Sequence, residues 1–502
     1  MLWRGIASPP SSVRPTPQDV LAGVFGYEAF RPGQEKVIAT VLGGRDCIAV
    51  MPTGAGKSLT FQIPARILPG TALVVSPLIS LMKDQVDALE RVGFRAAVIN
   101  SSLDRDARRE RLRRLRAGEY ELVYVAPEGL EGGLRGLLAD VRVSLVVVDE
   151  AHCISDWGHD FRPAYRRLRG LKAELGGVPI LALTATATRR VAGDIIRQLG
   201  MVKPDGYKGS FFRPNLVLTA HRKGDGRGSR QDLLAYVRRR AGESGIVYTL
   251  SRRNVESLAA FLRAGGVRAA AYHAGLDDAE RARAQEAFAR DAVDVMVATI
   301  AFGMGIDKSN VRYVVHREMP RSIESYYQEI GRAGRDGLPS DCILLYSWAD
   351  VVSHARLQEG VEDGELRRAA RARSVAMYDL AAAPGCRHQR LVAYFDETIA
   401  ACGASCDACR GVPFVDLVRA PAVPTPPASS ATGPLFERLR ALRRALADAE
   451  GVPAYIVFSD AVLARMAAAR PTDEAGLLAV SGVGPAKLAR YGASFLRVLR
   501  EG

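Results

Sequence analysis

The sequence predicts an α/β protein: two parallel-sheet domains in tandem, then a helical metal-binding unit, a proline-rich linker and a small all-α domain. Three observations lead there. Short apolar runs alternate with charged helical stretches from Asp19 to Trp348. Four of the seven cysteines crowd between Cys386 and Cys409, and prolines then cluster over 411–434. The apolar runs fall into two series, 47–51, 72–75, 122–125, 145–148 and 180–183, then 245–248, 269–272, 293–297 and 311–315. Continuous Val/Ile/Leu strands separated by helices indicate parallel sheets covered on both faces. A hinge near 209–214 divides the series.

In chain order, residues 1–18 are rich in Pro and Ser without a hydrophobic core segment, and read as a disordered tail rather than a signal peptide. The first sheet domain takes 19–210 and the second 211–350. The metal-binding unit takes 351–410, with a helical start over 350–394. The linker, 411–434, has the composition of a semi-stiff spacer. The all-α domain takes 435–502.

Composition bounds the function. The 502 residues are 48% hydrophobic and 25% charged, which suits a folded globular protein and excludes a wholly disordered or collagen-like chain. No apolar run reaches the length needed to span a bilayer. Lys plus Arg is 69 against 55 Asp plus Glu, a net charge of +14, and the pI is near 9.6. Such an excess favours polyanionic partners, nucleic acid first. The cysteine pattern fits a metal site in a reducing cytoplasm, not a disulfide framework.

The strongest chemical signal follows the first strand. Pro52-Thr-Gly-Ala-Gly-Lys-Ser58 is a Gly-rich turn leading into the amphipathic stretch 59–68. Such a turn makes a nest of backbone N–H groups at a positive helix end. Gly54 and Gly56 let the backbone close around phosphates, with Thr53 beside them in the nucleotide site, Lys57 reaches the β- and γ-phosphates, and Ser58 binds Mg²⁺. The strict pattern wants Gly where Met51 stands; its working core, Gly-x-Gly-Lys-Ser, is intact. The strand 144–148 ends in Asp149, Glu150, Ala151 and His152. An acidic pair at a strand's carboxyl end suits a metal and a water: Asp149 for Mg²⁺, Glu150 to polarise the attacking water. Arg332 and Arg335 lie three apart among Gly331, Gly334 and Gly337, a spacing that suits two arginine fingers facing a γ-phosphate. Cys386, Cys402, Cys406 and Cys409 supply four thiolates, a closed tetrahedral shell for structural zinc.

Together these segments resemble known proteins. Residues 51–58, 149–152, 183–188 and 328–335 are similar to superfamily 2 helicase motifs. Three more narrow the resemblance to the RecQ DNA helicases: 25–34 (Phe-Gly-Tyr-Glu-Ala-Phe-Arg-Pro-Gly-Gln), similar to an adenine-reading motif; 151–163, similar to an aromatic-rich loop; and 298–306. The likeness runs from about Val20 to Cys409 and resumes over 435–501. It implies two RecA-like P-loop domains and a C-terminal HRDC domain. It further implies ATP, Mg²⁺ and Zn²⁺ as cofactors, with Tyr27, Arg31, Gln34 and Gln328 around the nucleotide. Trp157, His159, Phe161 and Arg162 of the aromatic loop, with Ser251, Arg252 and His273 of the second lobe, would meet DNA. The expected activity is ATP-driven 3′-to-5′ translocation on single-stranded DNA and duplex unwinding, in recombination and repair. Expected partners are single-stranded and tailed or branched duplex DNA, with single-strand-binding or recombination proteins. A cytoplasmic, nucleoid-associated monomer is expected, with no membrane partner.

Two departures stand out. Cys402 and Cys406 have three residues between them where the family has two. And the linker 411–434 stands where typical members carry a winged-helix domain of roughly a hundred residues. The alternative reading is therefore a DNA-stimulated translocase with weak unwinding. In the last domain, Gly482-Val-Gly484 before a helix, with Lys487 one turn on, could seat a backbone phosphate. Ten Lys/Arg against seven Asp/Glu leave it mildly basic, and DNA binding and protein docking stay equally open.

Overall fold

The computed structural model describes residues 15–77, 79–100, 103–130, 133–155, 158, 160–224, 229–300, 302, 308–359, 363–419 and 433–501. Seven strands form the first sheet: β1 Cys47–Val50, β2 Thr71–Val75, β3 Ala96–Ile99, β4 Leu122–Val125, β5 Val143–Val148, β6 Ile180–Thr184 and β7 Asp205–Lys208. Their spatial order is β3-β4-β2-β5-β6-β1-β7, and neighbouring strands run parallel. Six form the second: β8 Leu216–Arg222, β9 Ser244–Tyr248, β10 Ala269–Tyr272, β11 Val295–Ala298, β12 Val311–His316 and β13 Ser340–Tyr346. Their order is β10-β11-β9-β12-β13-β8, again parallel throughout. Every residue of β1, β2, β3 and β4 is buried, as expected of strands covered by helices on both faces.

Four strands lie outside the apolar series read from the sequence: β3, β7, β8 and β13. β7 is Asp-Gly-Tyr-Lys, an edge strand with alternating exposure, so it has no continuous apolar run. β8 ends in Thr219, Ala220, His221 and Arg222 because it too lies at an edge.

Buried Asp46 pins the start of β1. Its carboxylate accepts from Lys172 Nζ at 2.6 Å, Ile180 N at 2.8 Å and Val202 N at 2.6 Å. Three connections converge on one carboxylate, so the strand feeding the phosphate loop has a fixed register.

The unit after the second sheet is helical, as expected: Trp348–Arg356, Gly364–Ala382 and Arg387–Ala393. It clamps the hinge between the lobes. Phe395 stacks on Phe211 with ring centroids 4.3 Å apart, and Glu397 accepts from the Phe211 N–H at 2.6 Å. Two boundaries shift. The first helix, Pro17–Phe25, begins inside the expected tail, capped by Thr16 and Asp19. Part of the expected linker is the helix Phe414–Arg419, held because Phe414 is buried against His221 and Arg239 donates to the Val418 carbonyl at 2.9 Å. Residues 420–432 lie outside the described residues.

The last domain is a bundle of helices: Pro434–Glu450, Ala454–Val457, Asp460–Ala469, Glu474–Leu478 and Pro485–Arg500. Its core includes Leu439, Phe458, Leu463 and Phe495, and the buried Arg443 donates to Asp460 at 2.6 Å. The bundle is not held away from the lobes. Arg440 donates to the Gly242 carbonyl at 2.7 Å and Arg444 to the Asp291 carbonyl at 3.2 Å, while Arg290 reaches back to the Gly451 carbonyl at 3.1 Å. On the first lobe, a Cβ built on Gly26 would lie 2.7 Å from the Gly484 Cα, so the two backbones touch. Among the described residues, no helix is long and apolar enough to cross a membrane.

Candidate functional site

A cavity of about 920 Å³ opens between the lobes. Lys57, Ser58, Asp149 and Glu150 line it from the first lobe, at the carboxyl ends of β1 and β5. Gln328, Arg332 and Arg335 line it from the second. The nucleotide residues proposed from sequence thus meet in one place, although they come from segments almost three hundred positions apart.

The phosphate loop has the form that its glycines allow. Gly54 has φ 86° and Gly56 φ 78°, both in the left-handed region that costs other residues energy. Met51 is buried, and its N–H donates to the Thr184 carbonyl at 2.9 Å. The position that departs from the strict pattern therefore continues the sheet and leaves the cradle untouched. Gln34 lies beneath the loop: Nε2 donates to the Gly56 carbonyl at 2.9 Å, and Oε1 accepts from the Arg31 N–H at 2.8 Å. Arg31 Nη1 donates to the Gly54 carbonyl. Tyr27 is 40% exposed and faces the cavity.

Glu150 holds a left-handed conformation, φ 47° and ψ 45°, at the sharp turn after β5. A non-glycine residue there costs of order 1 kcal/mol and marks a site that the surroundings over-determine. The turn puts Glu150 Oε1 4.0 Å from Lys57 Nζ and Oε2 3.4 Å from His152 Nδ1. Oε2 is buried with no hydrogen-bond partner, as suits an acceptor kept for a water. Burial, then the charge of Glu150, pushes the Asp149 carboxyl up to about 6. A cation beside Asp149 relieves both, so Ser58 and Asp149 form a donor set suited to Mg²⁺.

Behind Glu150 a polar chain crosses to the second lobe. The Thr184 hydroxyl donates to the Thr186 carbonyl at 3.0 Å, so its 2.9 Å contact with His152 Nδ1 is one in which the imidazole donates. Gln328 Nε2 donates to the Thr186 hydroxyl at 3.4 Å. Thr184 and Thr186 thus link His152, which lies behind Glu150, to the helix Ile323–Ile330.

Arg332 and Arg335 lie in the turns beyond that helix rather than on it. A Cβ at Gly331 would come 3.0 Å from the Thr53 Cβ, and one at Gly334 would strike Asn215 Nδ2 at 2.4 Å. Two of the three glycines therefore mark close approach. Gly337, with nothing within 4 Å, serves only its turn at φ 86°.

Sequence reasoning missed Arg213. From the hinge, its Nη1 donates to the Thr53 carbonyl at 3.0 Å, and Nη2 to the carbonyls of Ala333 at 3.2 Å and Gly334 at 2.7 Å. One guanidinium thereby joins the phosphate loop to the arginine turn. No motif announces it, because its partners across the cleft are backbone carbonyls distant in sequence; its one side-chain partner is the neighbouring Asn215, whose Oδ1 accepts from Nε at 3.4 Å.

The expected DNA residues divide. Trp157 and His159 lie outside the described residues. Phe161 has the Arg166 guanidinium 4.9 Å from its ring centre, and Arg162 donates to Asp160 at 3.1 Å. Ser251 caps the helix Arg252–Ala264 by accepting from the Asn254 N–H. Arg252 lies against Gly275. His273 is buried: Nδ1 accepts from the Gly275 N–H at 3.2 Å and Nε2 meets Glu256 at 3.1 Å. It holds its own loop in shape.

The sulfurs of Cys386, Cys402, Cys406 and Cys409 lie within 4.8 Å of one another, a set that fits one tetrahedral zinc despite the longer Cys402–Cys406 spacing. The knot is fused to the edge of the second sheet. Leu218 N donates to the Ser405 carbonyl at 3.0 Å, and His388 Nε2 lies 3.0 Å from the carbonyls of both Leu216 and Ser405. Arg387 and Asp407 pair beside it at 2.9 Å.

Two parallel-sheet lobes, a phosphate loop in the first and an arginine turn of the second brought against it define a two-lobed, nucleoside-triphosphate-driven helicase. The comparisons agree. Residues 31–195 match the DEAD/DEAH box helicase model, 229–337 the helicase conserved C-terminal domain, 348–410 the RecQ zinc-binding model and 433–499 the HRDC domain. The chain is 38% identical to the ATP-dependent DNA helicase RecQ of Pasteurella multocida, over 97% of this chain and 94% of that one. It is likewise 38% identical to that of Bacillus subtilis, over 96% and 98%. The chain belongs to the RecQ family of ATP-dependent DNA helicases. The Pasteurella alignment runs over 599 positions, so about a hundred of them have no counterpart among these 502 residues. Only residues 411–432 separate the zinc-binding and HRDC matches. Among solved structures, the fold is similar to the Mycobacterium smegmatis helicase Lhr bound to single-stranded DNA and AMP-PNP (TM-score 0.52, 21% identity, 70% of this chain and 56% of that one). It is also similar to the DUF1998 helicase MrfA bound to DNA (TM-score 0.55, 17% identity, 68% and 52%).

Two expectations follow. Arg213→Ala removes donors from three carbonyls of the cleft; DNA-stimulated ATP turnover falls about tenfold or more, at about 1–3 kcal/mol of lost interaction. Steady-state hydrolysis checks this, and unchanged turnover removes Arg213 from the coupling. Cys406→Ser lowers bound zinc well below one per chain by metal analysis and lowers the unfolding midpoint, because the knot also holds β8.

Proposed function

We propose that this RecQ helicase moves 3′ to 5′ along single-stranded DNA and separates duplex strands, in recombination and repair. The observation that carries the reading is the single cleft in which Lys57, Asp149 and Glu150 of one lobe meet Gln328, Arg332 and Arg335 of the other. A nucleotide there is held by both lobes only when they are closed, and hydrolysis loosens that grip.

The roles follow from position. The loop 53–58 cradles the phosphates and Lys57 meets the β- and γ-phosphates. Mg²⁺, when bound, neutralises phosphate charge, with Ser58 and Asp149 holding it. Glu150 Oε2 accepts from the attacking water, and His152 keeps the carboxylate in place. Arg332 and Arg335 stabilise charge developing on the γ-phosphate. Tyr27 and Arg31 bracket the base, and Gln34 meets the base edge by exchanging the bonds that its amide makes to Gly56 and Arg31. On the DNA side, Trp157 and Phe161 supply faces for bases, worth about 1–3 kcal/mol each. His159, Arg162, Ser251, Arg252 and His273 serve the strand or the loops that carry it. Repair intermediates with tails or branches suit such a motor, as does hand-off to single-strand-binding proteins, and we take the protein to act as a monomer near the nucleoid.

One observation favours a second reading. The short interval 411–432 leaves no room for a winged helix, so the chain could translocate well and unwind weakly. Strand separation of 3′-tailed and 5′-tailed duplexes decides between them, with Lys57→Ala as control. Opening of the 3′-tailed duplex alone, lost in Lys57→Ala, is expected. Single-stranded DNA stimulating hydrolysis while neither duplex opens supports the translocase. Arg335→Ala is expected to cut DNA-stimulated hydrolysis about 10³-fold, the lower end for arginine fingers; near-normal turnover would remove that role.

A further inference from the structure

Behind Glu150 lies a second set of metal-donor side chains, apart from the four cysteines. His152, Cys153 and Asp160 bring one donor atom each within 4.8 Å of one another. The Cys153 sulfur lies 3.8 Å from His152 Nε2 and 3.9 Å from Asp160 Oδ2. Around one tetrahedral zinc, a sulfur ligand and a nitrogen or oxygen ligand lie about 3.6 Å apart, so small side-chain shifts suffice. All three residues line the cavity between the lobes, which gives an ion a way in.

The imidazole is oriented for this role. Nδ1–H donates to Thr184, whose own hydroxyl proton is committed to the Thr186 carbonyl, so the lone pair sits on Nε2, the nitrogen beside the sulfur. A metal-bound histidine almost always donates its other N–H in this way. The sulfur and the carboxylate are held at the neck of the aromatic loop. There the Arg162 N–H donates to the Cys153 carbonyl at 2.9 Å, and a Cβ on Gly158 would lie 2.4 Å from the His152 carbonyl. An ion meets one competitor. Arg162 donates to Asp160 Oδ2 from Nε at 3.2 Å and from Nη2 at 3.1 Å. A dication that also gains a thiolate and an imidazole displaces that guanidinium, and the Cys153 thiol proton leaves to solvent.

We propose that His152, Cys153 and Asp160 form an inhibitory site for Zn²⁺, separate from the four-cysteine centre. The donors select the ion: sulfur and imidazole suit zinc, whereas Mg²⁺ takes oxygen ligands. Three protein ligands leave the fourth position to water. The bound ion ties the neck of the loop to the residue behind Glu150 and takes Asp160 from Arg162, so the loop no longer responds to DNA. Hydrolysis without DNA is spared, because Nδ1 keeps its bond to Thr184. The inhibition rests on the reading that the loop 151–163 meets DNA; the metal site does not.

The test uses the full-length chain with its four-cysteine zinc in place. Zn²⁺ is titrated against a chromophoric chelator, and ATP hydrolysis is followed with and without single-stranded DNA. Wild type should take up a second zinc per chain, while Cys153→Ala and Asp160→Asn should each hold only the first. Asp160→Asn, matched in size, decides the matter if alanine disturbs the packing around buried Cys153. In wild type the second zinc should lower DNA-stimulated hydrolysis about tenfold and leave hydrolysis without DNA within about twofold. Cys153→Ala should keep its DNA stimulation at the same zinc concentration. A wild-type count that stays at one zinc per chain overturns the proposal, and so does a second zinc that both variants still bind. A second zinc lost in both variants but without effect on DNA stimulation keeps the metal site and overturns the loop's part in the coupling.

Discussion

The Arg213 guanidinium is the interaction on which the site depends. It lies in the hinge between the two sheets and spends its donors on backbone carbonyls of Thr53, Ala333 and Gly334. Carbonyls from both lobes can share one side chain only where the backbones come close, and that closeness sets the composition around it. Gly331 must lack a side chain because Thr53 is there, and Gly334 because Asn215 is there. The phosphate loop is thus tied at its base to the turn carrying Arg332 and Arg335. Burial makes the tie costly to break, since three carbonyls would lose their partner together.

Around this tie, polar groups couple chemistry to lobe position. Glu150 is aimed by a strained turn and backed by His152, which donates to Thr184, and the threonine pair reaches Gln328 across the cleft. These hydrogen bonds form a polar path from His152, behind the carboxylate, to the helix Ile323–Ile330. The zinc-bearing unit stiffens the other side of the hinge, where Phe395 stacks on Phe211 and Tyr327 donates to the Phe211 carbonyl at 3.1 Å. The metal ligands therefore lie far from the nucleotide yet bear on the segment about which the lobes turn.

Much of this was legible in the sequence, and what was not has a common cause. The phosphate loop, the acidic pair and the cysteine set declare themselves because each needs particular side chains at short spacing. Most central strands were readable because burial on both faces demands unbroken apolar runs; β13, an interior strand with the run 342–346, is the exception. β7 was not, since Asp-Gly-Tyr-Lys at an edge needs no such run. The helix Phe414–Arg419 was hidden by surrounding prolines, since contact with His221 rather than propensity holds it. Arg213 was invisible for the same reason at larger scale: its partners across the cleft are backbone carbonyls, which carry no residue identity. The turn 482–484 reads as one that could seat a phosphate, but that it lies against Gly26 follows from how the bundle docks, which the sequence does not state.

That docking differs between the lobes. Three arginine–carbonyl bonds hold the bundle to the second lobe, each worth about 1 kcal/mol net. Against the first lobe the backbones of Gly26 and Gly484 are apposed, a contact of dispersion. Only residues 411–432 separate the zinc-binding and HRDC matches, and the bundle beyond them lies against both lobes rather than apart from them.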